Sequence, residues 1–256
     1  MKDRHKPFVQ EVKNSDTMII FIHGIVESPY QFRNLAQIAM DNNISVCGVL
    51  LAGHGKSGKD FVKSNLNMWR TSIEREIEKY KTKYKNIILV GHSMGALLSI
   101  EFYLKYKQNI KYIVAIATPL CIRVKFNIIR SCIKIALGII PKGDLLTRYA
   151  YEAISVNETN LFNYIKWAPR YIDLFKLIIK VRLNLNNIDI PMLIFHSMND
   201  ELVSLKSIKI YKKSFKYNNK LNNKSIIKLE SSGHFYYDYD DLEVLESEFK
   251  SFICMK

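Results

Sequence analysis

Apolar runs of strand length alternate with longer amphipathic stretches through the first half of the chain. TMIIFIHG (17–24) is apolar at both alternating sets of positions, the pattern of a strand covered on both faces. SPYQFRNLAQIAMDNN (28–43) follows with helical spacing and places Pro29 where a first-turn proline fits. ISVCGVLLAGHG (44–55) predicts a strand running into a glycine-rich turn, and MWRTSIEREIEKYKTKYK (68–85) a helix with charges four residues apart. NIILVGHS (86–93), MGALLSIEFYLKYK (94–107) and KYIVAIATPL (111–120) continue as strand, helix and strand. This rhythm predicts a parallel sheet with helices on both faces.

Between 120 and 185 the rhythm stops. FNIIRSCIKIALGII (126–140), LLTRYAYEAISVNETNLFNYIK (145–166) and YIDLFKLIIKVRL (171–183) read as helices. The sheet pattern resumes with IPMLIFHSMND (190–200), a helix SLKSIKIYKKSFKY (204–217), a strand SIIKLESSGH (225–234) and a last helix DDLEVLESEFKSFICMK (240–256). The expected organisation is one α/β core in two parts, 1–119 and 186–256, interrupted by a helical cap at 120–185. In the segment 126–140, Asn127, Arg130, Ser131 and Lys134 share one side. Its broad apolar remainder is expected to pack on the core or to line an acyl pocket. Weak contact with a membrane surface, helped by Lys125, Arg130 and Lys134, is the alternative.

The 256 residues suffice for a full core, and 48 % hydrophobic with 24 % charged residues is ordinary for a globular protein. A formal charge of +14 raises nucleic acid as a partner. Only 9 of the 38 basic residues are arginine, however, and the lysines are spread along the chain, so solvated helix faces account for them and no nucleic acid is expected. Cys47, Cys121, Cys132 and Cys254 have no disulfide or zinc spacing. No N-terminal apolar core of signal type and no run of about 18 apolar residues is present, which together lead to an expectation of a cytoplasmic, soluble protein. Oligomeric state is not readable from the sequence.

In open parallel sheets, ligands and reactive groups gather beyond the carboxyl ends of the strands. Ser93 in GHSMG follows NIILV, Asp200 follows MLIFH with three residues between, and His234 follows SIIKLE, so all three fall on that edge. The competing Asp189 precedes its strand and falls on the other edge. A serine hydroxyl needs an imidazole to take its proton, and that imidazole needs a carboxylate to fix its tautomer and stabilise its cation. The order Ser93, Asp200, His234 is that of a nucleophile-elbow hydrolase. Gly91 and Gly95 are expected as steric necessities of a tight strand-to-helix turn. The amides of Ile25 and Met94 are placed to bind an oxyanion. His23 and His54 are expected to hold loops by side-chain to backbone bonds, His92 and His196 to be packed or hydrogen-bonded in the core, His5 to be solvated, and Trp69 to anchor its helix. Neither cofactor nor metal is expected, since no H-x-x-x-H or H-E-x-x-H pattern occurs.

Taken together, FIHGI (21–25), LAGHGKS (51–57), GHSMG (91–95), HSMNDELV (196–203) and SSGH (231–234) resemble the α/β-hydrolase superfamily, and within it the small bacterial carboxylesterases and monoacylglycerol lipases. The resemblance runs through the chain except for 120–185. It implies an α/β-hydrolase fold, a helical cap, no cofactor, a Ser93–Asp200–His234 triad and oxyanion donors at Ile25 and Met94. It also implies cleavage of carboxylic esters, either short- to medium-chain acyl esters or monoacylglycerols, through an acyl-enzyme. The same triad serves acyl-thioesterases and lysophospholipases, and a non-catalytic ligand-binding protein on this fold is a further alternative. One departure stands out: relatives often carry a second glycine after the HG turn, as in HGFTG, where this chain has Glu27 and Ser28 in HGIVESP. An acidic group there is expected to affect substrate preference.

Overall fold

The computed structural model describes residues 4–157, 161–216 and 224–254. Residues 158–160, 217 and 255–256, over which the expected helices at 145–166, 204–217 and 240–256 extend, lie outside the described residues. The first four strands in the chain are β1 (Phe8–Gln10), β2 (Thr17–Ile22), β3 (Ser45–Val49) and β4 (Asn86–His92). β5 (Ile110–Ile116), β6 (Met192–Ser197) and β7 (Lys224–Leu229) complete one seven-stranded sheet in the order β1-β3-β2-β4-β5-β6-β7. Only β1 runs antiparallel, against β3; every other pairing is parallel. β1 was not expected, because three residues paired along one edge are too short to carry a periodic signal.

Helix α1 (Arg33–Asp41) enters through a 3-10 turn at Pro29–Phe32, so the expected helix at 28–43 starts as the tighter form. α2 (Gly58–Lys63), also unforeseen, is set by a capping box in which Ser57 and Asp60 bond each other's backbone amides. α3 (Leu66–Tyr80) and α4 (Met94–Lys105) follow, and α8 (Lys206–Lys216) and α9 (Tyr239–Ile253) frame β7. Alternation along β2 divides the core. Met18, Ile20 and Ile22 pack with Trp69, Ile73 and Ile77 of α3 and with Leu97 and Leu98 of α4. Ile19 and Phe21 face the other way, onto Leu35 and Ala39 of α1 and Leu245 and Phe249 of α9. A strand with a helix layer on each side has no polar face, which is why 17–24 reads as a continuous apolar run.

Between β5 and β6 lie α5 (Phe126–Ala136), α6 (Leu145–Ala153), a 3-10 segment at Leu161–Trp167 and α7 (Ala168–Asn184). α7 packs Leu174, Leu177, Ile178 and Val181 into the same cluster as α3 and α4. α5 corrects an expectation. Only part of its apolar remainder packs inward: Ile128 is buried, whereas Phe126, Ile129, Ile133 and Leu137, spaced along one face, are exposed, Phe126 to 74 %. The side that meets α6 is built on polar groups instead. The Thr147 hydroxyl donates to Asp144 and shares a 2.8 Å hydrogen bond with the buried Ser131 hydroxyl, and Lys134 pairs with Asp144 at 2.5 Å. Small hydroxyls let two short helices approach closely, and the bulky residues of α5 are left facing water. No helix of the described residues is long and apolar enough to cross a membrane.

Candidate active site

The turn from β4 into α4 is sharp. Ser93 has φ 52° and ψ −119°, a conformation that costs a non-glycine residue about 1–3 kcal/mol and persists only where the surroundings enforce it. Here they do. A Cβ on Gly95 would lie 1.9 Å from the Ile22 carbonyl oxygen, and one on Gly91 would lie 2.4 Å from the Ala96 nitrogen. The chain closes so tightly that only glycine fits at both places, and Ser93 is left at the crest, 6 % exposed.

The opposing loop, 23–28, is pinned at several points. His23 Nδ1 donates to its neighbour's carbonyl at Gly24, while its Nε2 accepts from the Leu51 amide at 3.0 Å. His54 Nδ1 donates to Ala52 O, and its Nε2 accepts from the Val26 amide at 3.1 Å. An imidazole that accepts an amide proton must be neutral. Burial lowers the pKa of His23 to about 4 and that of His54 well below its ordinary value, so both stay neutral. Val26, a β-branched residue at φ 59°, is held in that left-handed conformation from both sides, because Ser155 N–H also donates to its carbonyl at 2.7 Å. The loop so fixed presents the Ile25 amide. Among the described residues neither Ile25 N–H nor Met94 N–H has an acceptor, and Met94 opens α4, where the helix dipole is positive. Trp69 is fully buried and donates to Ala52 O at 3.1 Å, anchoring the same region.

His234 and Asp200 are brought together across 34 residues of chain. His234 Nδ1 donates to Asp200 Oδ2 at 2.8 Å, both side chains being buried. Asp200 Oδ1 accepts the amides of Leu202 and Val203, which fixes the carboxylate. Burial disfavours its charge, but His234 and these two amides outweigh burial and lower its pKa. His234 is in turn raised: burial lowers its pKa, and the Asp200, Glu27 and Glu201 carboxylates more than reverse that. Asp189 lies before β6 with its carboxylate 3.8 Å from Lys107 Nζ.

Three acidic residues complete the surroundings: Glu27, already marked by its place in HGIVESP, and Glu201 and Asp241, to which the sequence assigned no role. Glu201 Oε2 accepts the His234 amide at 2.8 Å. Asp241 accepts the amides of Glu230, Ser231 and Ser232 and the Ser232 hydroxyl, and so clamps the loop between β7 and His234. Glu27 Oε2 accepts from Gly24 N–H at 2.8 Å, Gln31 Nε2 at 2.8 Å and His92 Nδ1 at 2.9 Å. It is thus a buried brace of the loop at 23–28. His92 is hydrogen-bonded, and His196 is buried on β6, as expected. His5 is not solvated: it is 3 % exposed and forms a 2.7 Å hydrogen bond with Ser28 Oγ, because Arg4 and Tyr30 fold the N-terminal arm over that loop. Nothing in the sequence separates Glu201 or Asp241 from surface acids, since their partners are backbone amides brought near by folding.

A mostly parallel seven-stranded sheet with helices on both faces, and a serine at the strained turn after β4, define an α/β-hydrolase of the serine-hydrolase kind. The chain belongs to the hydrolase family described as serine aminopeptidase, S33, whose model matches residues 13–222. It is 24 % identical over 251 residues to the thermostable monoacylglycerol lipase of Bacillus sp. (strain H-257), spanning 96 % of this chain and 94 % of that protein. In structure it is similar to a metagenome-derived lipolytic enzyme, with a TM-score of 0.74 at 18 % identity over 98 % of both chains. A soluble variant of the monoglyceride lipase of Saccharomyces cerevisiae gives a TM-score of 0.70 at 14 % identity, covering 96 % of this chain and 89 % of that one.

Proposed function

We propose that Ser93, His234 and Asp200 act as nucleophile, general base and orienting carboxylate, with the amides of Ile25 and Met94 as the oxyanion hole. The protein is a carboxylic ester hydrolase. The observation that carries the triad is the buried His234–Asp200 pair at 2.8 Å, on the sheet edge where Ser93 is held at φ 52°. In this reading Ser93 Oγ attacks the ester carbonyl carbon and passes its proton to His234 Nε2. The carbonyl oxygen becomes an oxyanion held by the two free amides. His234 then protonates the leaving alcohol, and an acyl-serine remains. Water, deprotonated by the same imidazole, attacks the acyl carbon and returns Ser93.

Short- to medium-chain acyl esters or monoacylglycerols are the proposed substrates, supported by relatives described as monoacylglycerol and monoglyceride lipases. Residues 120–185 are proposed as the cap, with α5 and α6 forming its outer part and α7 its root in the core. Ser155 ties its far end to the loop at 23–28 through the carbonyls of Val26 and Glu27. The exposed apolar stripe of α5, flanked by Lys125 and Arg130, supports weak contact with a lipid surface. A cytoplasmic location is proposed on the cysteine spacing.

Ser93→Ala tests the reading: the circular dichroism spectrum is expected to be unchanged and hydrolysis of p-nitrophenyl butyrate to be lost. Near-normal turnover by that variant, or no adduct on Ser93 with a fluorophosphonate probe, overturns it. Rates on monoglyceride, thioester and lysolipid substrates measured side by side then rank the acyl classes.

A further inference from the structure

Lysine is spread through most of the chain, with one exception. Residues 202–229 hold eight lysines and no acidic residue, in a chain whose whole formal charge is +14. Within this run α8 buries Ile208, Tyr211 and Phe215 and leaves Lys206, Lys209, Lys212 and Lys213 exposed. Spacings of three and four residues put these lysines on one face of the helix, where like charges repel one another. Other lysines have acidic partners: Lys81 pairs with Glu78, Lys105 with Glu74 and Lys180 with Glu101. Among the described residues no salt bridge reaches the four on α8.

The helix that precedes it in the same layer adds an apolar stripe. α7 buries Leu174, Leu177, Ile178 and Val181 and turns Ile172, Phe175, Ile179 and Leu183 outward, each more than half exposed. At intervals of three and four residues these four form one row along the helix, with the exposed Lys176 and Arg182 beside it. The only acidic residue of α7, Asp173, is taken up by Arg170. α8 packs on the 3-10 turn Leu185–Asn187 that ends α7, and Val181 and Leu185 share a core cluster with Tyr211 and Phe215. Both helices therefore cover the same face of the sheet, and their outward sides belong to one side of the molecule. A single exposed apolar residue is ordinary, but four in a row beside an acid-free set of lysines make a patch that calls for a partner.

We propose that the outer faces of α7 and α8 dock the protein on a bilayer containing anionic lipid. The α7 stripe enters the boundary between headgroups and acyl chains, while the α8 lysines, with Lys176 and Arg182, meet the lipid phosphates. Each part needs the other. A short apolar stripe holds only weakly to a neutral surface, and lysine charge alone is screened by salt within a Debye length. The same chemistry argues against nucleic acid: the patch carries a single arginine for bidentate contacts, and its apolar row has no counterpart on a phosphate backbone. Docking is peripheral, because no helix of the described residues is long and apolar enough to cross a membrane. It goes beyond the weak contact of α5, which lacks an acid-free lysine face. That a docked protein meets its substrate in the bilayer rests on the hydrolase reading; the docking itself does not.

The test sediments the full chain with vesicles of phosphatidylcholine alone or with about one-third phosphatidylglycerol. Binding to the anionic vesicles should be tighter by about tenfold or more, and raising sodium chloride from about 0.1 M to about 0.5 M should release most of the protein. Lys209→Gln, Lys212→Gln and Lys213→Gln combined should weaken that binding by about tenfold or more. All three side chains are exposed, so the combined variant should fold and hydrolyse p-nitrophenyl butyrate in solution as the wild type does. Phe175→Trp places an indole on the stripe, and because Trp69 and Trp167 are both buried, a blue shift of emission on anionic vesicles reports its insertion. Equal binding to neutral vesicles, an undiminished triple variant or an unshifted emission overturns the surface. Tighter binding to duplex DNA than to anionic vesicles also overturns it and makes the patch a nucleic-acid site. Because sedimentation does not require turnover, anionic-vesicle binding by a protein inactive on esters sustains the docking while defeating the hydrolase reading, and active enzyme that ignores both vesicles defeats the docking alone.

Discussion

Replacing Glu27 by alanine removes a buried carboxylate on which three donors converge: Gly24 N–H, Gln31 Nε2 and His92 Nδ1. The Gln31 side chain, only partly buried, can turn to water; the Gly24 amide and the His92 ring cannot. Two buried orphans at about 1–3 kcal/mol each give a loss of about 3–4 kcal/mol, within the range for removing one partner of a buried pair. The charge itself leads to a similar figure. Burial pushes the Glu27 carboxyl upward, but His92, with help from His234 and Gln31, overrides it and holds the pKa at about 2 instead of 4.5. A depression of that size corresponds to about 3 kcal/mol. A carboxyl depressed in the folded state contributes fully above its unfolded value and loses that contribution as pH falls toward its folded value. The gap between wild type and Glu27→Ala should therefore shrink by roughly 2 kcal/mol between about pH 7 and about pH 3. Urea denaturation at a series of pH values reads both quantities. At neutral pH the melting temperature should drop by about 6–16 °C, at about 2–4 °C per kcal/mol for a chain of this length. A neutral-pH loss below about 1 kcal/mol, or a loss that stays constant into acid, would refute the role of Glu27 as the charged brace of the loop.

Since His234 must be neutral to accept a proton and its pKa is raised, the acid limb of kcat/KM should lie above the ordinary imidazole value of 6.5. Glu201→Gln removes one of the carboxylates that raise it and should move that limb to lower pH; an unmoved limb would count against the electrostatic assignment. Gly95→Ala sets a Cβ 1.9 Å from the Ile22 carbonyl oxygen and 2.8 Å from that of His23, so it should cost about 3 kcal/mol or more or prevent folding, as read by denaturation and solubility. Asp241→Ala leaves the amides of Glu230, Ser231 and Ser232 without their acceptor, and both a stability loss of about 2–4 kcal/mol and a lowered kcat are expected. An Asp241→Ala enzyme with wild-type kcat would show that the loop holding His234 does not depend on this clamp.

The sequence by itself determined the parallel strands β2 to β7, the helices that cross between them, and the common edge to which Ser93, Asp200 and His234 belong. Those features are written in local periods: two-sided burial makes 18–22, 87–90 and 192–195 continuously apolar, and the glycines of GHSMG report the tightness of the turn. Placing Ser93, Asp200 and His234 on one edge needed only the rule that parallel strands end together. Tertiary structure alone decided the rest. Whether α5 turns its apolar face inward or outward depended on which surface α6 offered, and a Ser131–Thr147 contact settled it outward. The partners of Glu201 and Asp241 are backbone amides, which leave no mark in a string of side chains. Glu27 and His92 are 65 residues apart, and His5 and Ser28 are 23 apart. Pairings of that kind arise when loops converge at the sheet edge, so neither periodicity nor spacing along the chain can announce them.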